Sequence, residues 1–241
     1  MKYLIDTHTH TIASGHAYNT MDEMTKYAEK IGLVNLAITD HAPKMPGSSA
    51  NLYFYNLHIV PRQKYGVHRF MGCELNIRDY NGKVDLNAEI LKQMDIVIAS
   101  LHLPCIQPGT IDENTTALIR CCENPLIHII GHPDDGRYPV NYEALVDAAA
   151  KTHTLIELNN ASLNAAGPRQ GAYENDIKLL KLCKEKDVCI CLGSDAHIEE
   201  LIGVFDNCEK VLNEVDFPER LIANLDMELM ESYLNKGTKR T

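Results

Sequence analysis

The chain is 241 residues long, 45% hydrophobic, with a formal charge of −10. That charge argues against tight nonspecific binding to nucleic acid, which needs a basic surface, and no apolar stretch approaches the roughly 20 residues that span a bilayer. The first residues lack the basic-then-apolar pattern of a signal peptide, so the expected compartment is the cytoplasm, and the eight scattered cysteines contain no CxxC pair and read as reduced, buried thiols.

The first predicted element is a strand over Tyr3–Thr7, which runs into Asp6-Thr7-His8-Thr9-His10. Side chains alternate across a strand, so His8 and His10 share a face, and paired imidazoles suit a divalent metal. Ser14 and Gly15 let the backbone turn before His16. A helix is predicted from Thr20 to about Ile31. Thr20 and Glu23 form a capping box, Met24, Tyr27, Ala28 and Ile31 make an apolar stripe, and Gly32 is a natural stop. Further strands are predicted at Asn35–Thr39, His68–Leu75, Asp95–Ser100, Ile127–Gly131, Thr154–Asn159 and Val188–Gly193. They are short and rich in Ile, Leu and Val, as strands covered on both faces should be.

Residues 42–67 show no clear periodicity. They carry Pro43, Pro46, Gly47, Pro61 and the aromatics Tyr53, Phe54 and Tyr55, and read as a long rim loop covering the site. Helices are predicted near Leu86–Met94, Glu113–Cys122, Tyr142–Lys151 and Glu174–Lys186, then at Asp206–Val215 and Met227–Leu234, with Pro218 starting a turn between the last two. Strand–helix alternation implies right-handed crossovers and a parallel sheet. Seven such units, with chemistry at successive strand ends, favour a closed α/β barrel of the TIM type.

The strand ends carry the chemistry. Asp40-His41, Gly72-Cys73-Glu74, His102-Leu103-Pro104, Gly131-His132-Pro133 and Ser194-Asp195-Ala196-His197 each follow or end an apolar run. His8, His10, His16, His41, His102, His132 and His197 are seven of the eleven histidines, and Glu74 and Asp195 add oxygen ligands. Any one of them could be an ordinary hydrogen-bonded histidine, but seven at successive strand ends point to metal. Nine ligands exceed one tetrahedral zinc and suit two or three ions sharing a carboxylate, an arrangement that performs hydrolysis. Asp6 and Asp40 are candidates to orient imidazoles, or to bond backbone. Cys73 and Cys105 lie near predicted ligands, and Cys189-x-Cys191 reads as part of a buried strand.

These motifs, with Ala13-Ser14-Gly15-His16-Ala17-Tyr18, Leu75-Asn76 and Glu157-Leu158-Asn159-Asn160, give the chain a resemblance to the PHP family, named for polymerase and histidinol phosphatase domains, and within it to the small stand-alone YcdX-like phosphatases. The likeness runs from about Tyr3 to beyond Asp216-Phe217-Pro218-Glu219-Arg220. The resemblance implies a distorted seven-unit (βα)7 barrel with C-terminal helices, one domain over 1–241 with a rim insertion at about 42–67. It implies three divalent metal ions, commonly zinc, with manganese or iron as alternatives. His8, His10, Glu74 and Asp195 would hold one ion. Glu74 would bridge to a second held by His102 and His132, and His16, His41 and His197 would hold the third. The family pattern is broken around the site, at Met45–Leu52, at Pro133–Arg137 and at Leu103, where a polar residue is expected.

The expected activity is hydrolysis of a small phosphorylated substrate by a metal-bound hydroxide, with Glu74, Asp195 and His197 as the catalytic ligands. Arg62, Arg137 and Arg169 are candidate phosphate clamps, because a guanidinium binds two oxygens at once. Arg62 is preferred for its place in the rim insertion, with His58 a weaker candidate. Two alternatives are an amidohydrolase-type metal hydrolase and a noncatalytic metal-binding regulatory module. Glu74 stands where the first would place lysine, and a complete ligand set weighs against the second. The sequence leaves the substrate, the native metal and the oligomeric state open.

Overall fold

The computed structural model describes residues 1–236; the domain expected over 1–241 extends past them at 237–241. Seven parallel strands form a nearly closed barrel: β1 (Ile5–Asp6), β2 (Asn35–Ile38), β4 (Val67–Asn76), β5 (Ile96–Ser100), β6 (Ile129–Ile130), β7 (Leu155–Asn159) and β8 (Ile190–Gly193), paired in that order. A two-residue strand, β3 (Gln63–Lys64), pairs antiparallel with the start of β4. In β2 and β5 every residue is buried, because barrel side chains cover one face and helices the other.

The helices fall between the strands, and the last two after β8, as the periodicity predicts. They are α1 (Met21–Lys30), α4 (Ile111–Glu123), α5 (Tyr142–Thr152), α6 (Ala172–Lys186), α7 (Asp206–Glu214) and α8 (Met227–Leu234). The Thr20–Glu23 capping box is present, and Thr110–Glu113 forms a second one that starts α4. The predicted Leu86–Met94 helix shrinks to α3 (Ala88–Leu91), capped by Asn87. Among the described residues no helix is long and apolar enough to cross a membrane.

Two features differ from the sequence expectation. First, residues 42–67 are not all rim loop: they contain α2 (Asn51–Asn56), a 3-10 turn (Leu57–Ile59) and β3. The segment leaves the C-terminal end of β2 and must return to the N-terminal end of β4, so its second half runs down the barrel wall. Second, β1 and β8 meet only above their strand bodies. Asp195 N donates to His8 O (2.9 Å) and His10 N to Ala196 O (2.8 Å). Lower in this seam the Asn224 side chain stands in for a strand. Its Nδ2 donates to Ile5 O (3.0 Å) and Leu192 O (2.8 Å), and its Oδ1 accepts from Leu192 N (2.7 Å). Buried backbone groups left unpaired by the missing ladder are satisfied this way.

Candidate metal centre

The nine predicted ligands converge at the C-terminal end of the barrel. His8 and His10 follow β1, His41 follows β2, Glu74 lies in β4, His102 and His132 follow β5 and β6, and Asp195 and His197 follow β8. His8, His10 and Glu74 are fully buried, while His16 is exposed at the mouth. The backbone is bent to serve them: His132 (φ 27°) and Asp195 (φ 57°) take left-handed conformations that cost a residue with a Cβ, a strain characteristic of functional sites. Gly193 is required by packing, since a Cβ there would fall 2.1 Å from Glu157 Oε1. Gly15 (φ 83°) lets the His16 loop pack on Gly47, whose carbonyl oxygen would lie 2.2 Å from an added Cβ.

Glu74 is the hub. Its Oε1 lies 2.8 Å from His132 Nε2 and 3.1 Å from His102 Nε2. Its Oε2 lies 2.6 Å from His41 Nδ1, 3.4 Å from His8 Nε2 and 3.7 Å from His10 Nε2. Asp195 Oδ1 lies 3.2 Å from His10 Nε2 and 3.8 Å from His8 Nε2. His16 stacks between His41 and His197, at centroid distances of 5.0 and 4.8 Å.

The outer ring nitrogens are fixed by neighbours. His8 Nδ1 donates to Glu157 Oε1 (2.7 Å), His197 Nδ1 to the Asp195 carbonyl (2.9 Å), and His102 Nδ1 to Asn76 Oδ1 (2.8 Å). Asn76 is oriented for this because its Nδ2 donates to Ala42 O and Asp85 Oδ2. His10 Nδ1 donates to Ser14 Oγ (3.0 Å), which in turn donates to Asp40 Oδ1 (2.7 Å). In all four rings Nδ1 donates outward, so Nε2 is the nitrogen that faces the centre. Asp40 therefore acts on an imidazole through Ser14, whereas Asp6 accepts from the backbone at His8, Ser194 and Gly203. Asn76 and Glu157 have this task beyond what their motifs predict. The signal for Glu157 is a carboxylate inside an apolar strand, unexplained unless paired.

Electrostatics follow from this crowding. Burial raises the cost of charging Glu74, but His102, His41 and His8 outweigh it and hold the carboxyl well below its usual value. Asp195 is likewise depressed against its burial, by His8, by its bond to His10 and by Arg169. Burial opposes the charged form of His8, yet Glu157, Glu74 and Asp195 hold its pKa well above 6.5. Burial, His41 and His197 push His10 well below that value.

A cation fits this donor set. His8 Nε2, His10 Nε2, His41 Nδ1 and Glu74 Oε2 are buried and make no hydrogen bond among the described residues. Each such orphan costs about 1–3 kcal/mol, and four facing one another are explained by a shared positive partner. His41 Nδ1 and Glu74 Oε2 approach to 2.6 Å without hydrogen-bond geometry, two lone pairs aimed at one region. Three overlapping triplets have ligand atoms within 4.8 Å: His10–His41–His197, His8–His10–Glu74 and His41–Glu74–His102. His41 is thus shared more widely than the expected allocation has it.

Not every predicted residue joins the site. Arg62 lies at the opposite end of the barrel: its Nε bonds Asp95 Oδ2 (2.5 Å), just before β5, and its Nη1 bonds Leu57 O and Val60 O (both 2.8 Å). It is a brace for the returning chain, which corrects the expected phosphate clamp. His58 is exposed and its Nδ1 donates to Tyr55 O. Arg137 and Arg169 do line the cavity above the ligands. Arg137 is held by Asp135 through Nε and Nη2, and Arg169 reaches Asn159, Ser162 and Asp195 Oδ2 (3.1 Å). Cys73 alternates with Glu74 and points away, and burial pushes the Cys105 thiol up to about 11. All eight cysteines are free.

A PHP domain model matches residues 6–232. The chain belongs to the PHP family. A relative named as a probable phosphatase, from Clostridium novyi, is 48% identical over 239 residues, covering 99% of this chain and 97% of that protein. Another probable phosphatase, from Caldicellulosiruptor bescii, is 48% identical over 230 residues, 95% of each chain. Among solved structures, the histidinol phosphate phosphatase of Lactococcus lactis, crystallised with zinc, L-histidinol and phosphate, aligns with a TM-score of 0.63. It is 20% identical and the alignment covers 90% of this chain and 95% of that one, a likeness of fold alone.

Proposed function

We propose that this PHP protein is a cytoplasmic metal-dependent phosphoesterase acting on a small phosphate ester at a trinuclear centre, commonly zinc. The carrying observation is the set of orphaned, buried ligand atoms gathered around one carboxylate, Glu74. The probable-phosphatase relatives, nearly half identical along almost the whole chain, support the phosphate ester over an amide. The proposed ligands are His8, His10, His16, His41, Glu74, His102, His132, Asp195 and His197, within one domain whose upper 42–50 segment borders the cavity mouth.

Divalent cations bound there would acidify a water and offset charge on the phosphoryl oxygens. The protein's own residues do the rest. Glu157, Ser14, Asn76 and the Asp195 carbonyl fix four imidazole tautomers. Arg169, at the cavity wall beside Asp195, meets the phosphate, and Arg137 adds its Nη1, which the Asp135 pair leaves free. No side-chain nucleophile is required, and the protonated Cys105 thiol does not supply one.

The test compares metal-stripped and zinc-reloaded protein on phenyl phosphate and on acetanilide. Phosphate release that requires metal, with no anilide cleavage, is the expected result. Anilide cleavage, or no phosphate release from protein of full metal content, overturns the reading.

A further inference from the structure

The cavity over the ligands holds about 510 Å3, inside the roughly 300–1,000 Å3 range of small-molecule sites and far more than a phosphate group fills. One side is the cluster of imidazoles and Asp195. The apolar wall comes from three loops, Met45 after β2, Leu101, Leu103 and Pro104 after β5, and Ala161 and Pro168 after β7, while the loop after β6 adds Asp135 and Arg137. Leu103 is 36% exposed, a large apolar side chain facing solvent at the mouth of a polar site.

What the walls lack is as informative. Among the described residues that line the cavity there is no Ser, Thr, Asn, Gln or Tyr. The carboxylates there are already paired with arginines. Asp135 takes two bonds from the Arg137 guanidinium and a third from its backbone N–H, and Asp195 binds Arg169. No lining carboxylate is left to receive an ammonium. A polyol pressed against this wall would lose water without new hydrogen bonds, and a cationic amine would lose it without a counter-charge.

We propose that the apolar wall receives the alcohol portion of the substrate, and that this alcohol is uncharged and apolar or aromatic. The inference rests on the phosphoesterase reading and deepens it, separating the substrate from sugar phosphates and amino-alcohol phosphates. Leu103 is the specificity-determining residue, since it is the large aliphatic side chain of the wall that is open to an incoming group, whereas Met45 and Leu101 are buried.

Three alkyl monoesters test this with zinc-loaded, full-length protein: benzyl phosphate, glycerol 3-phosphate and phosphoethanolamine. Benzyl phosphate should be preferred in kcat/KM by about tenfold or more, the discrimination that even a small apolar contact provides. Calorimetric binding of benzylphosphonate against 2-aminoethylphosphonate should show the same order without turnover. Leu103→Asp, checked for unchanged metal content, should lower kcat/KM for benzyl phosphate at least tenfold and raise it for phosphoethanolamine. Hydrolysis of all three esters with no benzyl preference overturns this proposal alone. So does a Leu103→Asp variant that affects all three esters equally. Hydrolysis of none, at full metal content, overturns the phosphoesterase reading and this proposal with it.

Discussion

Glu157→Gln is the sharpest single perturbation, because it preserves shape and alters only what the side chain can accept. In the native protein the buried Glu157 Oε1 accepts from His8 Nδ1 at 2.7 Å, and Oε2 accepts from His132 N (2.9 Å) and Asn159 Nδ2 (3.1 Å). A glutamine must turn its NH2 one way or the other. Facing His8, it meets an N–H donor and drives the imidazole to the other tautomer, placing a proton on the Nε2 that should bind metal. Facing His132, it leaves two buried donors without an acceptor. Outer partners of metal-binding histidines are worth roughly 10–100-fold in metal affinity or activity, which is about 1.4–2.7 kcal/mol. Competition with a zinc indicator would measure the affinity, phosphate release the rate, and circular dichroism the fold. A folded variant with zinc affinity and rate both within twofold of wild type would refute the role of Glu157 in setting the His8 tautomer.

Glu74→Gln removes the charge that several imidazoles surround, a loss on the order of 3–5 kcal/mol for a broken buried pair, so metal content should fall and turnover should drop at least a hundredfold; normal turnover would make Glu74 a bystander. Arg169→Ala should raise KM for phosphate esters roughly 10–100-fold, the worth of one charge-assisted bond, whereas Arg62→Ala should leave KM alone and cost about 1–2 kcal/mol of stability in a denaturant titration. The opposite pattern would return Arg62 to the site. Metal uptake near pH 7 should release at least one proton. Burial disfavours charged His8, but Glu157, Glu74 and Asp195 override it and keep the ring protonated without metal. Release should shrink as pH rises through the His8 value, because the ring then arrives neutral. Calorimetry in buffers of differing ionisation enthalpy counts these protons, and a count of zero contradicts the assignment.

The barrel and the convergence of its strand-end histidines and carboxylates were legible in the sequence because both rest on strict geometry. Alternation puts His8 and His10 on one face, and chemistry at parallel-strand ends gathers His41, Glu74, His102 and Asp195. What escaped was set by position along each strand–helix unit and by single side chains. Arg62 precedes a strand, and residues before a parallel strand sit at the barrel's other end, so its place in a rim insertion was misleading. Helix α2 has six residues, too few to show a period. The β1–β8 seam depends on Asn224, whose bonds have no local sequence signal. Gly193 reads as an ordinary strand glycine until Glu157 is found packed against it.

Hydrolysis of phosphate esters by a multinuclear metal centre built on Glu74 is tested by stepwise addition of zinc to metal-free protein, with phosphate release followed after each addition and bound zinc measured in parallel. Activity that climbs to a plateau at three bound ions per chain is the predicted result. A plateau at one ion, or full activity in the metal-free protein, would contradict it.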